Sequence, residues 1–272
     1  MVPHMRIGTF LLVLLAALAL TGCAGSSDDA GDAVTASSAE SSEGGLSGTL
    51  TVFAAASLTD VFTDLGHQLE KANPELDVRF NFAGSSVLAT QITQGAPADV
   101  FASANQPQMK VVSAAGLQAD DPTVFTENVL EIAVPKGNPG RVTGLADFAN
   151  RHLRLAICAP DVPCGAAATK VFQAAGIAAV PDTEEEDVRA ALTKVELGEV
   201  DAALVYASDV VSAGNKVKGI DFPEAGQAIN EYPIVALKGA PNPAAAQAFV
   251  ALVLSDAGRK ALEDSGFRTS AR

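Results

Sequence analysis

Tryptophan is absent from this chain and tyrosine occurs only twice, so the core must be aliphatic and rich in alanine. The same scarcity disfavours a sugar site, which stacks its ligand on aromatic faces. Positive charge is also short: 18 basic residues face 32 acidic ones, a net charge of −14, and no Lys/Arg-rich run appears. Nucleic acid is therefore excluded as a partner, because nothing here would release phosphate counterions. The three histidines, His4, His67 and His152, are scattered, and the three cysteines have no zinc-type spacing. No metal centre held by side chains is expected. There is no stop-transfer helix and no internal repeat.

What is present sorts into three regions. Residues 1–22 carry Arg6 and the apolar run "FLLVLLAALAL" (10–20), too short to span comfortably and typical of a cleaved leader. "LTGC" (20–23) follows and resembles the lipobox of bacterial lipoproteins, in which the cysteine, here Cys23, is lipidated. An ordinary leader with a chance cysteine is the alternative. Residues 23–47 are Ser, Ala, Gly and acid, with too little to bury to offset ordering entropy, and read as a flexible tether. The expected picture is a folded body anchored to the outer face of the cell membrane.

In that body, strand-like and helix-like segments alternate. Strands are predicted at 50–54, 77–82, 98–103, 129–135, 153–158, 201–206, 217–223 and 232–237, and helices at 57–71, 86–94, 106–115, 164–175, 185–198 and 243–264. The last is broken near 255–258, where Ser255 is placed to cap a second helix. Such alternation defines an α/β fold with mostly parallel sheets flanked by helices. Ligands then collect where strands end and helices begin. The junctions "AAAS" (54–57), "FAGSS" (82–86), "APDVPCGAAA" (159–168), "TEEEDVRAAL" (183–192) and "LVYASDVV" (204–211) share one property. They offer small residues, hydroxyls and helix-start N–H groups, with few positive side chains. Several together suit an anion, although any one serine, Ser57, Ser85 or Ser86, taken alone reads first as a helix cap.

"LTVFAAASLTDVFTDLG", "FNFAGSSVLATQITQGAPADVFASAN", "EEDVRAALTKVELGEVDAALVYASDV" and "EYPIVAL" together resemble the molybdate-binding proteins of ABC importers, over about residues 50–268. The resemblance implies a two-lobed solute-binding fold of the second type, with the ligand in the interlobe cleft. Lobe 1 would be 48–128 plus 232–272 and lobe 2 129–231, with the hinge in 127–134 and 229–235. It implies capture of molybdate or tungstate by hydrogen bonds alone, so the only metal would be the molybdenum of the oxyanion. The implied ligand residues are the hydroxyls of Ser57, Ser85 and Tyr206 and the backbone N–H groups of Cys164 and Val188. The family usually has alanine where Cys164 stands. No cofactor is implied, the protein is expected to be a monomer, and its partners would be a permease and an ATPase. With Cys23 lipidated, the even remainder in an oxidising compartment predicts a Cys158–Cys164 disulfide, against two reduced core thiols. Two rivals remain. One is a binder of another oxyanion such as sulfate. The other is a serine hydrolase using Ser57 or Ser85, but no G-x-S-x-G elbow surrounds either serine.

Overall fold

A computed structural model describes residues 45–269. The leader, Cys23 and almost all of the tether lie outside them. The first strand begins at Ser47, earlier than its apolar residues foretell, because the ladder to the next strand already starts with Ser47 opposite Glu75.

Two five-stranded sheets organise the chain. The first half contains β1 (Ser47–Ala55), α1 (Thr59–Ala72), β2 (Glu75–Ala83), α2 (Ser85–Thr93), β3 (Val100–Ala102), α3 (Gln106–Ala114) and β4 (Thr123–Asn128). The second half has β5 (Leu130–Pro135), β6 (Leu155–Cys158), α4 (Pro163–Ala175), β7 (Thr183–Glu185), α5 (Val188–Glu196), β8 (Ala202–Tyr206), α6 (Ala207–Ala213) and β9 (Val217–Ile220). β10 (Asn230–Ala236) then returns to the first sheet, followed by α7 (Pro243–Leu254) and α8 (Asp256–Asp264). The sheet orders are β2-β1-β3-β10-β4 and β7-β6-β8-β5-β9.

Pairing directions show what this order does. β10 is antiparallel to both β3 and β4, and β5 is antiparallel to both β8 and β9, while the other pairs are parallel. Each sheet thus has four strands pointing one way and one reversed. The reversed strands are the two entered directly from the other half, across Asn128–Leu130 and Ile229–Asn230. A chain that arrives at the boundary must leave it, so a crossing strand runs against its neighbours. The remaining strands run toward the boundary, and their carboxyl ends deliver helix starts to it.

Packing follows strand alternation. Val52 and Ala54 of β1 face α1, α7 and α8 with Phe62, Phe249 and Leu262. Phe53 faces the other side, with Leu88 and Ile92 of α2 and Met109 of α3. The second half has one aliphatic core built on Ile132, Leu155, Val171 and Leu204. Two edge strands, β4 and β7, were not foreseen. The predicted helix at 185–198 begins at Val188 instead, because Asp187 caps it by accepting from Ala190 N–H at 2.9 Å. The break at Ser255 occurs where expected: its Oγ accepts from Gly258 N–H at 3.1 Å.

Candidate functional site

Five helix or 3-10 starts converge on one small cavity between the halves. Its lining includes Ser57, Ser85, Cys164, Val188 and Tyr206, together with Ala104 and Gly84. The empty space there, counting the part open to solvent, is about 220 Å³.

The serines are not caps. Ser57 lies within a 3-10 turn, Ala56–Leu58, with no side-chain capping bond, and its Oγ is 2.9 Å from Tyr232 Oη. Ser85 is the first residue of α2, behind Gly84, and its Oγ accepts from Ala104 N–H at 2.9 Å. Since that amide must donate, the Ser85 proton is left for the cavity. Ser86 does not cap α2 either. Cys164 and Val188 occupy the first turns of α4 and α5, whose amides have no carbonyl behind them in the helix. Donors and the positive ends of helix dipoles thus face the cavity, and no lysine or arginine lines it.

Two glycines make the approach possible. A Cβ on Gly84 would sit 2.4 Å from the Glu186 carbonyl oxygen of the opposite half. A Cβ on Gly165 would sit 1.8 Å from Ala159 O, where the start of α4 folds back on the exit from β6. The same short loop is closed by a disulfide between Cys158 and Cys164, with Cα atoms 5.7 Å apart. A loop this small is worth about 2–2.5 kcal/mol in the chain-entropy treatment. Reduction should lower the melting temperature by several degrees and loosen the Cys164 amide. Counting alkylated thiols in folded, non-reduced protein checks the pairing: two modified cysteines would refute it.

Beside the cavity, Arg189 ties three helices. Its Nη2 donates to Asp60 Oδ2 of α1 at 2.6 Å, and its Nη1 to Ser212 Oγ of α6 at 2.8 Å. Its Nε is 3.2 Å from Asp209 Oδ1, off the line of a hydrogen bond and therefore an ion contact. Burial works to raise the Asp60 pKa, but bonds from Ser212 and Arg189 hold it below the usual carboxylate value. Asp209 is fully buried, and that burial pushes it up to about 7 despite Arg189 and the Tyr206 N–H. Glu131 rises to about 7 for the same reason, aided by Asp221. Both groups hold protons in the folded state at pH values where the unfolded chain, with carboxylates near 4, has lost them. Their stabilising share is complete below about pH 4 and lost as pH rises through 7. The melting temperature should therefore be higher at pH 5 than at pH 8, and Glu131→Gln should narrow the gap. Calorimetry finding the reverse slope would refute it.

Tyr206 Oη accepts from Asn230 Nδ2 at 2.9 Å, and the same nitrogen donates to Ala104 O at 2.8 Å. Burial raises the Tyr206 pKa well above its ordinary value, so the phenol keeps its proton. Asn230, Tyr232 and Ala104 had no individual signal in the sequence; they gain meaning only when the crossing strands bring them here. His67 and His152 are exposed and line none of this cavity, and among the described residues no cluster of three His, Cys, Asp or Glu side chains could hold a metal ion. No helix among them is long and apolar enough to cross a membrane.

Two α/β halves with a donor-lined cleft between them define a solute receptor. The profile of the family described as bacterial extracellular solute-binding protein matches residues 50–268, and the chain belongs to that family. It is 48% identical over 219 residues to the molybdate-binding protein ModA of Mycobacterium tuberculosis, covering 80% of this chain and 84% of that one. The periplasmic molybdate-binding protein of Azotobacter vinelandii shares the fold with a TM-score of 0.71 at 20% identity, covering 82% of this chain and all of that one. The sulfate-binding protein SubI of M. tuberculosis also shares it, with a TM-score of 0.67 at 17% identity, covering 81% of this chain and 86% of that one. The fold alone therefore does not choose the anion.

Proposed function

We propose that this protein captures molybdate, and tungstate with it, and delivers the oxyanion to the permease and ATPase of an ABC importer. The carrying observation is that Ser57, Ser85, Cys164, Val188 and Tyr206 share one cavity, to which each brings a hydroxyl or a helix-start N–H that can donate. The name of the M. tuberculosis relative supports the choice of anion. Molybdate and tungstate are fully ionised at neutral pH and ask only for donors, whereas hydrogen phosphate brings a proton that needs an acceptor. Asp187, the one carboxylate in the lining, commits its Oδ1 to capping α5. Each hydrogen bond to a charged partner contributes on the order of 1.5–3 kcal/mol, so five donors can hold a dianion without a counter-charge. The chain's net charge of −14 opposes the ligand only at long range, where it is largely screened beyond about 8 Å.

In this reading the two halves are lobes, 48–128 with 232–272 and 129–231, that close over the anion about the crossings at 127–134 and 229–235. The monomer is tethered to the outer face of the membrane by lipid on Cys23. Calorimetric titration with molybdate, tungstate, sulfate and phosphate tests the ligand, and equal heats with sulfate and molybdate would sink the selectivity. Replacing Cys23 by Ala should release the protein or leave its leader uncut. Fatty-acid labelling that misses the unchanged protein would remove the anchor.

A further inference from the structure

The cavity is sided with hydroxyls, and a hydroxyl can donate or accept. Something must set its direction. Ser85 has the Ala104 N–H behind it. For Tyr206, the geometry points to an asparagine at a chain crossing, Asn230, as the positioning residue that turns the hydroxyl proton into the cavity. This rests on the proposed oxyanion function and explains how the site enforces it.

Asn230 Nδ2 lies 2.8 Å from the Ala104 carbonyl oxygen. A carbonyl only accepts, so the amide cannot be turned the other way round. The same nitrogen is 2.9 Å from Tyr206 Oη, and an amide nitrogen does not accept. Tyr206 must therefore receive the Asn230 proton, and its own is left to point elsewhere. Asn128, directly paired with Asn230 between β4 and β10, is fixed in the same manner. Its Oδ1 accepts from Val129 N–H at 3.0 Å, so its Nδ2 faces Ser208 Oγ at 2.8 Å. Tyr232 Oη lies 2.9 Å from Ser57 Oγ, and either hydroxyl of that pair can donate. Asn230, Asn128, Tyr232 and Tyr206 are all buried, so bulk water does not reset these directions.

Replacing Asn230 by Asp inverts the Tyr206 route. A carboxyl group holds at most one proton, and Ala104 O claims it. Tyr206 must then donate to position 230 and show a lone pair to the cavity. The test compares Asn230→Asp with Asn230→Ala, titrating each and the unchanged protein with molybdate and with hydrogen arsenate at pH 8. Both anions are then double-negative, so any charge at position 230 cancels in their ratio, and only arsenate carries a proton to give. The expected result is that the molybdate-to-arsenate affinity ratio falls tenfold or more in the Asp variant. The Ala variant should weaken both anions alike, and less for molybdate than the closer isostere does. A purely structural role gives the opposite order, with truncation worse and the ratio unmoved; that result overturns the inference. If Asn230→Asp does not fold by circular dichroism, Tyr206→Phe removes the positioned hydroxyl itself and should weaken molybdate about tenfold or more; unchanged affinity there overturns the inference. An unchanged protein that ignores molybdate takes down the proposed function and this inference together, whereas an unmoved ratio removes the inference alone.

Discussion

Gly84→Val should leave a folded protein that no longer holds molybdate, with affinity lowered a hundredfold or more. Gly84 has ordinary backbone angles, φ −58° and ψ 134°, so its own half accepts a side chain there. The obstacle is the other half. The first side-chain carbon would stand 2.4 Å from Glu186 O, and Val162 Cγ1 is the next side chain it meets, at 3.6 Å. Backbone oxygen does not move aside as a flexible side chain does, and valine adds two more carbons. The halves must stay apart, and a cavity formed from both loses Cys164, Val188 and Tyr206 as partners of Ser57 and Ser85. If closure is what completes the site, the variant melts near the unchanged protein and fails to compact on adding molybdate. Calorimetry and small-angle scattering on one sample decide this. Normal affinity in Gly84→Val would mean that the anion does not bind between the halves.

The parts of the fold that could be read from the sequence are those in which one segment suffices. The "LTV" strand and the Leu58, Val61, Phe62, Leu65, Leu69 face announce β1 and α1, and all five of these side chains are buried. Ser255 announces the break between α7 and α8 by the local chemistry of a cap. β4 and β7 were missed, although the other two edge strands, β2 and β9, were foreseen. An edge strand such as Thr183–Glu185 has no buried face on which apolar alternation would appear. The serines were ambiguous for a related reason. A hydroxyl at a strand-to-helix junction looks like a cap until its partner is known, and the partners, Tyr232 for Ser57 and Ala104 for Ser85, lie 175 and 19 residues away. Asn128 and Asn230 were invisible, since a lone asparagine at a strand end reads as a turn. Their pairing across 102 residues exists only once β10 has returned to the first sheet.

Val188 separates a backbone donor from a side chain. Val188→Pro should raise the molybdate dissociation constant tenfold to a hundredfold, while Val188→Ala should keep it within a few-fold. Proline fits this position. Val188 is the first residue of α5, where proline is tolerated, and both α4 and α7 begin with one. The preceding Asp187 is extended, φ −153° and ψ 169°, as a residue before proline must be. The substitution therefore deletes the N–H and spares the helix. Losing one charge-assisted bond to a dianion costs about 1.5–3 kcal/mol, which is the predicted range. Alanine does the reverse. It keeps the N–H but removes two methyl groups from a side chain only 3% exposed in the core of the second half. Its effect should appear as a stability loss of roughly 1–3 kcal/mol, read as a lower melting temperature with affinity nearly intact. If the valine side chain were the contact, alanine would be the variant that fails to bind. Equal affinities for proline and alanine variants would remove the α5 amide from the site.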